Sequence, residues 1–241
     1  MIVFPCIALV ASVACTATAV ARYRRSGRTH ELVWTAAFAL FALGAGCELA
    51  AARWGWNPFL ARLYFFSGAT LVAAYLGLGT LFLLAPRRLA SGALTALLLL
   101  SGLAGFLVAA TPVNPATLRE AGWAALDKGP ALIVLTVALN VVGTLVVVGG
   151  AGLSAWRAWH EGWNRRLAAT LLVAAGTLVV ASGGTLTRLG HHSYLYLAMA
   201  PGVCLLLTGY LVGELRELPR PRWLGRRQAP LPGLAEADRA P

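Results

Sequence analysis

Residues 183–196 read GGTLTRLGHHSYLY, which sets an arginine, two adjacent histidines and two tyrosines between apolar runs. Arg188, His191 and His192 are the residue types of anion recognition. A guanidinium offers several N–H donors in a fixed fork, and an imidazole changes charge between about pH 5 and 8. Glu48 is a carboxylate inside a different apolar run. Charge is costly in hydrocarbon, so such a group turns toward a cation or a wet recess rather than toward lipid. Arg53 and Arg188 are its candidate partners, Tyr64 and Tyr194 add hydroxyls, and Asn140 adds an amide that would hydrogen-bond a neighbouring helix. Two arrangements use these residues. Glu48 pairs with Arg188 or Arg53 and holds two helices together, with the histidines simply solvated. Alternatively, Glu48, Arg53, Tyr64, Asn140, Arg188, His191 and His192 line an outward-facing recess for a small anionic or protonatable ligand, bound in a pH-dependent way.

Other chemistries lack their residues. Cys6, Cys15, Cys47 and Cys204 form no CxxC pair, and HExxH is absent, so no zinc or other metal site is expected. All four cysteines lie in apolar runs, and a bridge from Cys6 to Cys47 would need their Cα atoms within about 7 Å. A bis-histidine haem needs facing histidines inside the protein. His30 and His160 read as loop residues, which leaves only lipid contact or a single-histidine pigment open as cofactor contacts. Glu48 is the one acidic residue expected inside a membrane segment, so neither paired acids for proteolysis nor a carboxylate relay is supported. No catalytic residue is assigned, and the chain reads as a non-enzyme.

The elements that position these residues follow from composition. Of 241 residues, 59% are apolar and 12% charged. Soluble domains are nearer half and a quarter. An α-helix needs about twenty apolar residues to cross the hydrocarbon. Seven segments suit: 2–21, 32–52, 63–85, 92–110, 130–153, 167–186 and 193–213. The fold class is therefore all-α: a polytopic seven-transmembrane-helix bundle over residues 1–213, followed by a basic, proline-rich cytoplasmic tail, 214–241, which has no apolar periodicity and is expected to be mostly disordered. The first segment lacks a basic region before its apolar core and reads as a retained span. The long connection 111–129 holds Thr117 and Glu120 three apart, the capping-box spacing, which predicts a short helix on the outer surface.

Charge asymmetry sets the orientation. Fifteen of the 20 Lys+Arg follow spans one, three and five or lie in the tail, including Arg24, Arg87 and Arg157. Positive loops stay cytoplasmic, so the N-terminus is outside and the C-terminus inside. All eight tryptophans, Trp34, Trp54, Trp56, Trp123, Trp156, Trp159, Trp163 and Trp223, fall at span ends or in loops, where an indole prefers the headgroup layer. The net charge of +11 is spread between apolar runs, so it sets topology and does not point to nucleic acid. The tail segment Arg220–Arg227 would attract anionic lipid. The glycines of spans three to six predict close helix crossings. The echo between the stretches beginning at Gly143 and Gly176 reads as glycine packing, not as an inverted repeat.

Seven spans with an external N-terminus resemble the opsins in topology alone. Retinal needs a lysine deep in the last span, and the single lysine is Lys128, in an outer loop. Retinal is therefore not expected. The overall look is similar to seven-span proteins of high-GC bacteria, which implies the bacterial cytoplasmic (inner) membrane and no particular activity. The functional expectation is a non-catalytic accessory subunit or receptor- or sensor-like module of a larger membrane assembly, its partner another membrane protein or a second copy. The alternative is a small-solute transporter or channel.

Overall fold

The computed structural model describes residues 3–160, 164–188 and 193–214. His191, His192, Trp163, Trp223 and the tail beyond Glu214 lie outside the described residues. The described residues are mostly helical, in the order α1 (Val3–Ser26), α2 (Thr29–Trp54), α3 (Pro58–Tyr64), a π-helical segment (Phe65–Leu71), α4 (Val72–Leu84), α5 (Arg87–Ala110), α6 (Leu118–Ala121), a 3-10 turn (Gly122–Ala125), α7 (Pro130–His160), α8 (Asn164–Arg188) and α9 (Ser193–Glu214). Among the described residues there is no strand, only a single antiparallel bridge between Val113 and Leu126.

Among the described residues, five helical rods are long and apolar enough to cross a membrane: Val3–Ser26, Thr29–Trp54, Pro58–Leu84, Arg87–Ala110 and Pro130–Arg157. The third joins α3, the π segment and α4 end to end. In α8 and α9 the described apolar stretches are shorter, Leu171–Val180 and Ala198–Val212. The molecule is thus a multi-pass helical membrane protein by length and composition.

Local chemistry sets the breaks between rods. Gly27 turns the chain from α1 to α2 at φ +63°, a conformation that a side chain would strain. Asn57 caps α3, its side-chain oxygen accepting from the Leu60 N–H at 2.9 Å, with Pro58 in the first turn. Pro86 forces Ala85 into an extended conformation and ends α4. The Thr117–Glu120 capping box does not form. Thr117 has helical rather than extended backbone angles and makes no cap with its side chain. Gly122, at φ +58°, then reverses the chain under the Trp56 ring, which holds α6 to a single turn.

Two close crossings explain the sequence echo. A Cβ on Gly143 of α7 would lie 2.3 Å from the Ala73 carbonyl oxygen of α4, and one on Gly77 would lie 2.8 Å from the Gly143 carbonyl oxygen. A Cβ on Gly176 of α8 would lie 2.7 Å from the Gly202 carbonyl oxygen of α9. The two similar stretches therefore seat two different helix pairs. The largest core cluster joins α1, α2 and α9 around Cys15, Phe38, Phe41, Val203 and Tyr210, and reaches Tyr64. The four cysteines are free thiols, so Cys6 and Cys47 do not bridge. Trp54, Trp156 and Trp159 are exposed as expected of interface residues. Trp34 instead turns inward from α2 and donates its indole N–H to the Leu76 carbonyl of α4 at 3.3 Å.

Candidate functional site: two buried carboxylates on one helix

Helix α2 carries two buried acids, seventeen residues or about 25 Å apart by helix rise. At its N-terminal end sits Glu31, 1% exposed. Its Oε1 lies 2.9 Å from Arg22 Nε of α1 and 3.5 Å from His30 Nε2. Its Oε2 accepts a hydrogen bond from the Tyr210 hydroxyl of α9. The Arg22 guanidinium also lies over the Tyr210 ring, 4.6 Å from its centroid. Trp34 meets His30 and Tyr210 edge-on, and Phe38 meets Tyr210 likewise. The C-terminal ends of α1 and α9 and the N-terminal end of α2 thus converge on one carboxylate. A buried charge is tolerable when paired and hydrogen-bonded on both oxygens, as here.

This cluster escaped the sequence reading. The apolar window began α2 at Leu32, which left Glu31 and His30 in a loop. The structure starts the helix at Thr29, so both face the bundle, and Glu48 is not the only acid of a membrane-crossing helix. The signal was present in the pairing of types: Arg22 and Glu31 flank a glycine turn, and Tyr210 is an isolated hydroxyl near the end of an apolar run.

Glu48 sits toward the other end of α2, 3% exposed. Neither of its carboxylate oxygens has a hydrogen-bond partner among the described residues. The Tyr64 side chain acts on it from the neighbouring rod. Tyr64 is itself buried and lies against Trp56 and Trp123, with ring centroids 5.9 and 5.8 Å away. The helix widens to π geometry immediately after Tyr64. Thr70 Oγ1 donates to the Phe65 carbonyl five residues back at 2.9 Å, within hydrogen-bond distance (3.3 Å) of Thr136 Oγ1 of α7. Such π segments recur where a helix is bent to a functional need.

Among the described residues no cation at this end forms an ion pair with Glu48, and Arg62 Nε is itself buried without a partner. Arg53 is exposed at the end of α2. Arg62 donates from Nη2 to the Thr111 carbonyl at 3.0 Å. Lys128 donates to the Leu126 carbonyl at 2.9 Å and lies 5.5 Å from the Phe65 and Trp123 ring centroids. Burial pushes the Lys128 ammonium below the ordinary lysine range, with the neighbouring Asp127 carboxylate opposing that shift.

Of the candidates named from sequence, the structure brings Glu48 and Tyr64 together. Asn140 is elsewhere: it donates to the Ala69 carbonyl of the π segment at 2.9 Å and to the Thr136 carbonyl at 2.8 Å, tying α7 to the third rod. Arg188 ends α8, but its side chain, like His191 and His192, lies outside the described part. Replacing Asn140 with leucine is expected to cost about 0.6–1.5 kcal/mol, the range for one interhelical hydrogen bond in a membrane. Chemical unfolding in mixed micelles measures it, and an unchanged midpoint would remove the helix-tying role.

No protein-family model, curated protein or solved structure matches the chain.

Proposed function

We propose that the chain is a seven-span protein of the bacterial cytoplasmic membrane, N-terminus outside, acting as a non-catalytic receptor-like or accessory module of a larger membrane assembly. The seven-span parity is supported by Arg22, Glu31 and Tyr210. The ends of the first and last rods and the start of the second meet there, as an odd number of alternating spans requires. The orientation rests on the clustering of arginines at the α1–α2, α4–α5 and α7–α8 ends and in the tail. The module reading rests on how the intramembrane polar groups are used. The polar side chains of Glu31, Trp34 and Asn140 tie helix to helix. Glu48 is the exception that carries a receptor-like reading, a buried carboxylate with no described hydrogen-bond partner. Its position near the outer end of α2 gives an outward recess its binding group.

Topology is checked with Arg24→Cys and Arg119→Cys, each in a chain whose four native cysteines are replaced by alanine. A membrane-impermeant maleimide added to intact spheroplasts is expected to label the second variant and spare the first; the reverse pattern would invert the bundle. Function is checked in proteoliposomes and native membranes. The module reading expects vesicles that hold a preset proton or sodium gradient, and cross-linking in native membranes to a stoichiometric membrane partner or a second copy. A leak through the protein that Glu48→Gln abolishes would replace it with the transporter reading.

A further inference from the structure

We infer that Glu48 and the aromatic rings around Tyr64 form a site for an organic ammonium group, entered from the outer end of the bundle. The inference rests on the receptor-like reading above and names its ligand class. A buried carboxyl with no well-formed hydrogen bond or ion pair among the described residues, and only the Tyr64 side chain acting on it, is rare, because the desolvation cost of the charged form goes largely uncompensated. Such a group stays protonated unless a cation compensates the carboxylate. Among the described residues no cation forms an ion pair with it: Arg53 is exposed, Lys128 donates to backbone carbonyls, and Arg62 donates from Nη2 to the Thr111 carbonyl while its buried Nε has no partner.

The walls say which cation. Trp56 and Trp123 flank Tyr64, and both indoles are only half-buried, so the cluster runs from the buried carboxylate to the surface. Indole and phenol faces attract alkylammonium ions, and a carboxylate beside them adds charge recognition. The cluster already accepts such a group, since the Lys128 ammonium lies 5.5 Å from Trp123. A hard metal ion asks for about six or more oxygens and is poorly served by one carboxylate among rings. An anion gains nothing from Glu48, which offers it no positive charge. Exposed Trp54 and Phe59 flank the same turn, which places the entrance at headgroup depth. The ammonium is therefore carried either by a free solute or by a lipid headgroup amine, and one experiment separates the two sources.

The full chain is reconstituted in nanodiscs of phosphatidylglycerol alone and titrated with tetramethylammonium or ethanolamine, followed by thermal unfolding and by tryptophan fluorescence. A saturable rise in Tm with a change in indole emission is expected, lost in Glu48→Gln and weakened at least tenfold in affinity in Trp56→Leu. The titration is repeated in discs containing phosphatidylethanolamine. A blunted response supports the site with the headgroup as its source; an unchanged one supports it with a free solute. No response in phosphatidylglycerol discs, or an equal response in folded Glu48→Gln, overturns the inference. So does strong coupling in a double-mutant cycle of Glu48→Gln with Arg188→Gln, because the carboxylate would then already own a guanidinium. The fluorescence titration of Trp56→Leu keeps the test open if Glu48→Gln fails to fold. Tight, partner-bound vesicles without ammonium binding would remove the site and leave the module reading. Ammonium flux through the protein would remove the module reading and leave the site.

Discussion

Replacing Arg22 with alanine is expected to destabilise the bundle by about 3 kcal/mol, because it strands the Glu31 carboxylate in the interior without its cation. The Arg22 side chain keeps 15% of its surface in solvent, so the expected loss sits at the low end for a broken buried pair. Glu31→Gln should cost less, about 1–2 kcal/mol, since a neutral amide can still accept from Tyr210. The double variant Arg22→Met, Glu31→Leu should recover most of the loss, because apolar packing then replaces both charges. This ordering, single worse than double, is what separates a buried pair from a surface one. Unfolding midpoints in mixed micelles measure all three. If Arg22→Ala stays within about 0.5 kcal/mol of the parent, the pair is a surface ornament and the convergence of α1, α2 and α9 is held by packing alone.

Gly143→Leu should prevent α7 from seating on α4 and leave the chain unfolded or protease-sensitive. The obstruction is backbone: the nearest atoms to an added Cβ are the carbonyl oxygen and carbon of Ala73, at 2.3 and 2.4 Å. Backbone cannot rotate aside as a flexible side chain can, so the two rods must separate. Even Gly143→Ala is expected to cost about 2–3 kcal/mol, at the upper end of overpacking penalties. Gly149 on the same helix is the control. Nothing lies within 4 Å of a Cβ added there, so Gly149→Ala should be neutral or slightly stabilising through helix propensity. Trypsin resistance in detergent reads the comparison. Equal tolerance at 143 and 149 would mean that the crossing is not a determinant of the fold.

The same contrast bears on how glycine is used in this chain. Gly102, Gly149 and Gly152 meet open space, whereas Gly77, Gly143, Gly176 and Gly202 sit at backbone contacts. In lipid there is no hydrophobic drive between helices, so association depends on such close approach and on interhelical hydrogen bonds. Trp34, Asn140 and the Glu31 cluster supply the latter.

By itself the sequence determined the solvent and the class. Apolar runs of about twenty residues separated by arginine-rich turns leave the backbone no stable form but helices, since unsatisfied N–H and C=O groups are too costly in hydrocarbon. It also marked Glu48 and Tyr64, because a carboxylate in an apolar run is conspicuous. Tertiary structure alone decided which polar groups meet. Glu31 looked like a loop residue because hydropathy is averaged along the chain, while its partners come from helices nine residues before and 179 residues after it. Asn140 was expected to hydrogen-bond a neighbouring helix and does so at the Ala69 carbonyl, but which helix would receive it was not legible, because depth in the membrane can be read from position in a span and rotation about the helix axis cannot. The roles of the glycines divided for the same reason: a missing Cβ permits a crossing, and only the neighbouring helix determines whether one is made.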